Sequence, residues 1–186
     1  INVLYRRKDG HLGIIEPSSG SVEIFWKSPK DTTVQKRIGF MPENTYLYKY
    51  LTWDEFLDFN GRFYSLSGEK LRQRKDWALE RVGLTQARNK RLNTYSKWML
   101  QRIGLAQAIL HDPEIIFLDE PMSGLDPVGR KMVKDLMIEL KKAKKTRFFN
   151  THILSDVETI CDSFGIICEW KIVANMKISE LDSPLE

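Results

Sequence analysis

The chain has 186 residues, of which 42% are hydrophobic and 29% charged, and its formal net charge is +4. This composition is typical of a soluble globular protein with one domain, or one domain with an insert, and the chain is long enough to bury a substantial core. No apolar run approaches the roughly 18 residues of a transmembrane helix. Residues 1–8 also lack the apolar core of a signal peptide.

The first half of the chain is predicted to contain short strands followed by helices. Strands are expected over 21–25 and 38–41, where turn residues bound short apolar runs. A helix over 52–66 is expected to begin at a capping box made by Thr52 and Glu55. Its phenylalanines fall on one helical face, namely Phe56, Phe59 and Phe63.

Two further helices are predicted before residue 112. One covers 69–82 and stops at Gly83, because glycine readily takes the left-handed conformation that ends helices. The other starts at Ser96, a residue type favoured at the N-cap.

The second half is predicted to alternate strands with helices. Four apolar residues at 115–118 fit a strand buried on both faces. Asp126 and Pro127 form a strong helix start, with Asp at the N-cap and Pro at the first helical position. The helix has an apolar stripe made by Met132, Val133, Leu136, Met137 and Leu140.

The remaining predicted elements are a strand over 146–149, a short helix with Ser155 and Glu158 as a second capping box, and a hairpin. The hairpin strands are 164–168 and 172–176.

The two cysteines, Cys161 and Cys168, lack CxxC spacing and nearby histidines, so no metal site is predicted for them. They indicate a reducing compartment and ordinary core residues.

The densest basic run consists of Lys141, Lys142, Lys144, Lys145 and Arg147. Such a run is a candidate for binding nucleic acid or anionic lipid. It also ends a predicted helix, where cations favour the macrodipole and stay solvated. Because it has no interleaved aromatic residues to stack on bases, the second interpretation is favoured.

Polar side chains follow two predicted strands at their carboxyl ends. Asp119 and Glu120 come directly after strand 115–118, and His152 follows strand 146–149. In open α/β sheets this edge binds ligands. One carboxylate there can hold Mg²⁺ while the other orients or deprotonates a water, and histidine can donate to a phosphate. The alternative is a pair of helix-capping acids and an ordinary polar histidine.

Four segments carry a resemblance to the ABC-type ATPases. Residues 115–126 (IIFLDEPMSGLD) resemble the Walker B motif and D-loop, and residues 95–102 (YSKWMLQR) resemble the signature motif in the variant of ABC-2-type exporters. Residues 150–155 (NTHILS) resemble the switch-histidine loop, and residues 37–44 (RIGFMPEN) the Q-loop. The similarity runs from about residue 13 to about residue 181 in matching order.

The resemblance implies an α/β, P-loop NTPase-like fold in a single partial domain over 1–186, with its N-terminal part missing. Residues 12–44 and 112–181 would form the parallel-sheet core. Residues 45–111 would form an inserted helical subdomain that carries the signature motif.

The resemblance also implies residue roles. Glu120 would be the catalytic base, His152 would sense the γ-phosphate, and Asp119 would support Mg²⁺. Contacts with ATP are implied for Ser96, Lys97, Gln101, Glu43 and Asp126. Ser96 and Asp126 have compatible helix-capping roles. Glu43 either binds Mg²⁺ and positions water, where many members carry glutamine, or is a solvated loop acid.

The chain departs from the family at the phosphate cradle. A Walker A motif supplies nested N–H groups, a lysine and a hydroxyl for Mg²⁺. No segment matches it, while residues 13–22 resemble the stretch that follows the Walker A helix. The chain is therefore interpreted as truncated or corrupted at its N-terminus, and as written it is expected to bind ATP poorly.

Tryptophans stand where the family uses glycine. Trp98 lies in the signature motif, where an indole would block the close approach of a phosphate, and Trp170 lies in the predicted hairpin turn. Trp26 and Trp53 are at similar positions. One hypothesis is an opal codon translated as tryptophan but read as glycine by the organism. It leaves unexplained Lys144 and Arg147, where relatives tend to have glycine and an apolar residue.

The function that the resemblance implies is an ATP-hydrolysing subunit of an ABC exporter, using ATP and Mg²⁺. Its partners would be a transmembrane permease and a second ATPase subunit, identical or different, at the cytoplasmic face of the membrane, with no nucleic acid. One alternative is a degenerate module that binds a partner without hydrolysis, favoured by the missing cradle and Trp98. Another is an ATPase acting on ribosomes or DNA, but such proteins usually have tandem domains or a long coiled coil.

Overall fold

The computed structural model describes residues 20–45, 47–169 and 171–180, and within them the chain forms six α-helices and five strands. The elements in chain order are α1 Thr32–Gln35, β1 Ile38–Met41, α2 Trp53–Phe63, α3 Gly68–Arg81, α4 Lys97–Ile109, β2 Ile115–Asp119, α5 Pro127–Lys142, β3 Thr146–Asn150, α6 Leu154–Ile160, β4 Ser163–Cys168 and β5 Lys171–Lys177. Short 3₁₀ turns occur at Thr85–Ala87, Leu92–Thr94 and Ile178–Glu180. No helix within these ranges is both long enough and apolar enough to cross a bilayer.

The central sheet is parallel, with the strand order β1-β2-β3. Met41 pairs with Leu118, and Asp119 pairs with Asn150, so all three strands end at one edge. This arrangement confirms the predicted α/β class with a parallel-sheet core. It also places the residues that follow β1, β2 and β3 at the same side of the molecule.

Strands β4 and β5 form a separate antiparallel hairpin, in which Phe164 pairs with Met176. The predicted hairpin is therefore confirmed. Trp170, which we placed in its turn, lies outside the described residues.

Helix α4 crosses β1 at very short range. A Cβ added at Gly39 would lie 2.1 Å from the main-chain oxygen of Ala108, so a side chain at this point of β1 would collide with the helix backbone. The same helix contacts α2 and α3. One continuous core joins the sheet to the helices, including Ile116, Leu118, Phe56, Leu79 and Ile103. Because α4 packs on both parts, the boundary of the helical subdomain at 45–111 stays a prediction.

The first helix of this subdomain begins as predicted. The Glu55 N–H donates to Thr52 Oγ1 at 3.2 Å, and the Thr52 N–H donates to Glu55 Oε2 at 2.7 Å, which confirms the capping box. Only one of its three phenylalanines reaches the core. Phe56 is buried, whereas Phe59 and Phe63 are exposed and pack edge to face against each other.

Ion pairs hold α3 against α2. The buried Lys75 donates to Asp54 at 2.8 Å and to Asp58 at 2.6 Å, and Arg88 also donates to Asp54. Burial opposes the charge on Asp54, but the hydrogen bonds from Lys75 and Arg88 lower the pKa of its carboxyl below the ordinary value. Helix α3 ends where Gly83 has a φ of +64°, as predicted.

The strand predicted at 21–25 is wrong. Ile24 and Lys27 form an isolated bridge around a tight two-residue turn, in which Phe25 and Trp26 have φ of +54° and +61°. Two positive φ values in succession turn the chain back on itself. The apolar residues therefore lie in a turn instead of an extended run.

The second capping box is also wrong. Helix α6 has Ile153 at its N-cap with no side-chain hydrogen bond, and Ser155 lies inside the helix. There its main-chain oxygen accepts a hydrogen bond from the Thr159 hydroxyl.

Two predictions about solvent exposure need correction. Arg147 is not solvated, since its guanidinium donates to the Met137 carbonyl at 2.7 Å and its side chain is 8% exposed. Cys168 is exposed, so only Cys161 fits the expectation of a packed cysteine. Burial raises the pKa of the Cys161 thiol to about 11.

Candidate functional site

The candidate site lies at the carboxyl edge of the parallel sheet. Asp119 ends β2 and is buried, Asn150 ends β3 beside it, and Glu120 and His152 follow these strands. Glu43 follows β1 and is exposed to solvent. The parallel register therefore brings one end of the Q-loop, Walker B and switch segments to a shared edge.

Glu120 and His152 form the central contact of the site. Nδ1 of His152 lies 3.1 Å from Oε2 of Glu120. The Glu120 side chain is 19% exposed and the His152 side chain 70% exposed, so the pair joins a largely enclosed carboxylate to an accessible imidazole. A carboxylate in such a contact can orient the imidazole, and either group can exchange a proton with a bound water.

The main chain of Glu120 is held in an unfavourable conformation. Its φ is +47°, in the left-handed region that costs a residue with a side chain roughly 1–2 kcal/mol. Its N–H donates to Asn150 Oδ1 at 3.2 Å. Its carbonyl accepts hydrogen bonds from Gln101 Nε2 at 3.1 Å and from the Ser123 N–H at 3.0 Å. Strain that is fixed by several partners in this way is common where a side chain must be aimed.

The signature segment presents an open helix start. Ser96 caps α4, with its Oγ accepting from the Met99 N–H at 3.2 Å. Ser96, Lys97 and Trp98 are all exposed. The free N–H groups of an exposed first turn favour binding of an anion. Trp98 lies in this turn and is 45% exposed.

Asp126 caps α5 as predicted, and its Oδ1 accepts from the Gly129 N–H at 2.8 Å. The same oxygen lies 3.8 Å from a guanidinium nitrogen of Arg102. Helix α4 therefore contacts the Walker B segment through Gln101 and the D-loop segment through Arg102. The role of Gln101 as an ATP ligand stays a prediction, since its amide donates to Glu120.

The donor set at this edge suits a nucleotide bound with Mg²⁺. Among the described residues there is no group of three or more His, Cys, Asp or Glu side chains placed to hold a metal ion. Magnesium, however, usually takes one or two carboxylates and completes its shell with water and phosphate oxygens. The buried Asp119 could supply such a ligand, and Glu43 stays a second candidate.

The tryptophans at glycine-like positions differ in their surroundings. Trp26 is 92% exposed with a φ of +61°, a conformation that favours glycine, and Lys144 has a φ of +59°. Trp53 is fully buried in the core, and its indole N–H has no hydrogen-bond partner among the described residues. The glycine hypothesis therefore fits the backbone at Trp26, whereas Trp53 packs as an ordinary core residue.

Two functional contacts were missed from the sequence. Asn150 and Arg102 lie inside the recognised segments, but neither was assigned a role. The position of Asn150 at the end of β3, two residues before His152, was the available signal. The contact of Arg102 depends on the packing of α4 against the start of α5, which local sequence does not specify.

A family model and individual relatives identify the same protein family for this chain. Residues 11–123 match the family model described as ABC transporter. An ABC transporter ATP-binding protein of Nostoc sp. is 46% identical over 172 residues, covering 91% of this chain and 51% of that protein. The bacitracin transport ATP-binding protein BcrA of Bacillus licheniformis is 38% identical over 175 residues, covering 91% of this chain and 56% of BcrA.

The fold comparison agrees. A solved structure of an ATP binding subunit of an ABC transporter superposes with a TM-score of 0.85 at 28% sequence identity, covering 93% of this chain and 73% of that chain. The chain spans about half the length of the curated relatives it matches. With a family model matching more than half of its residues, the chain belongs to the ATP-binding proteins of ABC transporters.

Proposed function

We propose that this chain supplies the Walker B, signature and switch elements of an ATP-hydrolysing subunit that drives export through a partner permease. Two such subunits, identical or different, would act together at the cytoplasmic face of a membrane. The family membership supports the ATP-binding role. The name of BcrA, a bacitracin transport ATP-binding protein, assigns that relative to the transport of bacitracin.

The observation that carries the proposal is the contact between Glu120 and His152 at the carboxyl edge of the sheet. Glu120 accepts the proton of an attacking water. His152 contacts the carboxylate through Nδ1 and, when Nε2 also carries a proton, donates a hydrogen bond from Nε2 where phosphate charge develops. The 3.1 Å separation of His152 Nδ1 and Glu120 Oε2 supports a joint role for the two side chains. The partial enclosure of Glu120 limits competition from bulk water.

The remaining residues would bind and place the nucleotide. Asp119 would hold Mg²⁺, which neutralises phosphate charge when bound. The first turn of α4, capped by Ser96 and flanked by Lys97, would meet the ATP held by the second subunit. Asp126 would lie near the same subunit boundary, and Glu43 would contact water or the metal from the end of β1.

Steady-state hydrolysis of Mg-ATP by the complete protein tests this proposal. Glu120→Gln should lower kcat by at least about 100-fold, because the amide cannot take the proton from water. The matched control is Glu114→Gln, which changes an exposed carboxylate at the opposite edge of the sheet. Equal rates for Glu120→Gln and Glu114→Gln would reject Glu120 as the base.

A non-catalytic module is the second candidate, favoured by the position of Trp98 in the first turn of α4. An indole at this position would hinder the close approach of a phosphate to the N–H groups of the turn. Titration of the complete protein with Mg-ATP distinguishes the ATPase from the non-catalytic module. Micromolar binding followed by turnover supports the ATPase. Absence of binding in the wild type together with binding by Trp98→Gly supports the non-catalytic module.

A further inference from the structure

We propose that Gln101 is a positioning residue for hydrolysis, which ties helix α4 to the main chain of Glu120 and so fixes where the Glu120 carboxylate points. The proposal rests on the proposed function, in which Glu120 acts as the base. It assigns Gln101 a contact with the protein in place of the contact with ATP that the family resemblance implies.

The first step of the argument is the conformation of Glu120. A φ of +47° is unfavourable for glutamate, so without hydrogen bonds from other residues the main chain of Glu120 would adopt another conformation. The Gln101 amide donates to the Glu120 carbonyl at 3.1 Å, the same oxygen that accepts from the Ser123 N–H at 3.0 Å. Gln101 therefore holds the carbonyl of Glu120, while Asn150 accepts from the Glu120 N–H.

The second step is the consequence for the carboxylate. Rotation of the Glu120 main chain would move its side chain relative to His152, which lies 3.1 Å away in the present conformation. Reactions that depend on a positioned base are sensitive to displacements of about 1 Å. Holding the carbonyl of Glu120 therefore preserves the contact between its carboxylate and His152.

The third step is the location of Gln101 on α4. The exposed start of this helix is capped by Ser96, five residues earlier on the same continuous helix. Arg102, the next residue, approaches Asp126 at 3.8 Å. A shift of α4 when its first turn meets a phosphate would thus reach Glu120 and Asp126 together. Binding of a phosphate at the start of α4 would therefore be coupled directly to the position of Glu120.

The test compares kcat and KM of the complete protein. Gln101→Ala should lower kcat by about 10- to 100-fold while KM for ATP stays within about twofold, because misplacement of the base affects the chemical step. Gln101→Lys, which restores a donor of similar reach, should recover most of the loss.

The matched control is Gln107→Ala on the same helix. Gln107 also donates a side-chain hydrogen bond, to Asn60 Oδ1 at 2.8 Å, but this contact lies away from Glu120. Equal kcat for Gln101→Ala and Gln107→Ala would overturn the proposal. A rise in KM with unchanged kcat would also overturn it, since that result assigns Gln101 to ATP binding.

Hydrogen exchange gives a readout that does not depend on hydrolysis. The peptide covering residues 119–124 should exchange about fivefold faster in Gln101→Ala than in the wild type, matching the loss of one hydrogen bond, and should be unchanged in Gln107→Ala. Unchanged hydrogen exchange in Gln101→Ala would contradict the proposed link between α4 and the main chain of Glu120, even if ATP is hydrolysed. If the wild type does not hydrolyse ATP but exchange responds, the proposed function fails while the structural connection holds.

Discussion

The two edges of the central sheet are built from the same three strands, but their polar side chains differ in their partners and in their exposure to solvent. At the amino edge, Arg37 makes two hydrogen bonds with Glu114 at 2.6 and 2.7 Å, and His111 binds the main-chain oxygen of Ile38 at 3.0 Å. At the carboxyl edge, Glu120 meets His152, whose imidazole is largely exposed. At the amino edge the Arg37–Glu114 ion pair joins two segments of the chain, whereas at the carboxyl edge the partner of Glu120 is an exposed imidazole.

The histidines show the difference most clearly. His111 stacks on Tyr64 with ring centroids 3.5 Å apart, and burial lowers its pKa to about 4. His152 is accessible, and its Nδ1 contacts the carboxylate of Glu120, the proposed base. Two residues of one type at opposite ends of the strands therefore have different surroundings. His111 packs inside the protein, whereas His152 is exposed, as the proposed contact with a phosphate requires.

The largest expected effect is on catalysis at the carboxyl edge. His152→Ala should lower kcat for ATP by about 100-fold, since a positioned donor to the phosphate is lost. The free energy of unfolding should change by less than about 0.5 kcal/mol, because exposed side chains contribute little to stability. Parallel hydrolysis assays and urea titrations measure both quantities. A large loss of stability with normal turnover would erase the contrast between the edges.

The next largest effect is on the pH dependence of stability and concerns His111 at the amino edge of the sheet. The pKa of His111 is lowered to about 4 in the folded chain, whereas the imidazole of an unfolded chain takes up its proton near the ordinary pKa of 6.5. Stability contributed by neutral His111 is therefore present above about pH 6.5 and is lost as the pH falls toward 4. The loss should be on the order of 2–3 kcal/mol.

His111→Phe is the matched variant for this prediction, because phenylalanine can stack on Tyr64 but does not titrate. Denaturant titrations between pH 7 and pH 4 should show a shallower decline for His111→Phe than for the wild type. Parallel pH profiles for the two proteins would show that other groups control acid stability.

The smallest expected effect is on the free energy of unfolding and concerns backbone strain in the turns next to the strands. Lys144, in the turn before β3, and Glu120, after β2, both have positive φ. Lys144→Gly should raise the free energy of unfolding by about 0.5–1 kcal/mol, because glycine takes this conformation without steric cost. Thermal unfolding measures the change, and kcat should stay constant. A loss of stability in Lys144→Gly would show that the lysine side chain outweighs its strain.

The fold was predictable where the signals are local. The capping box of Thr52 and Glu55, the cap at Asp126 and the glycine stop at Gly83 each act within a few residues, and the structure confirms all three. The failures also have local causes. Successive positive φ values at Phe25 and Trp26 place a turn where apolar residues indicated a strand, and Ser155 lies two positions past the N-cap of α6, too far inside the helix to cap it.

The site was predictable as a set of segments but not as a set of contacts. The apolar run before Asp119 and the strand before His152 identified the shared edge, because parallel strands align their ends. The hydrogen bonds of Glu120 with Gln101 and Asn150 depend on how α4 packs across β1 and on the left-handed turn after β2. Such contacts join residues 19 and 30 positions apart, and no local pattern encodes them.

The most direct measurement of the central claim is a double-mutant cycle in kcat with Glu120→Gln, His152→Ala and the combined variant of the complete protein. If the two side chains act as one unit, the double variant should be no more than about threefold slower than the slower single variant, because removing either member already disables the pair. If the two losses multiply, Glu120 and His152 act independently. That result would contradict the account of a catalytic pair at the carboxyl edge.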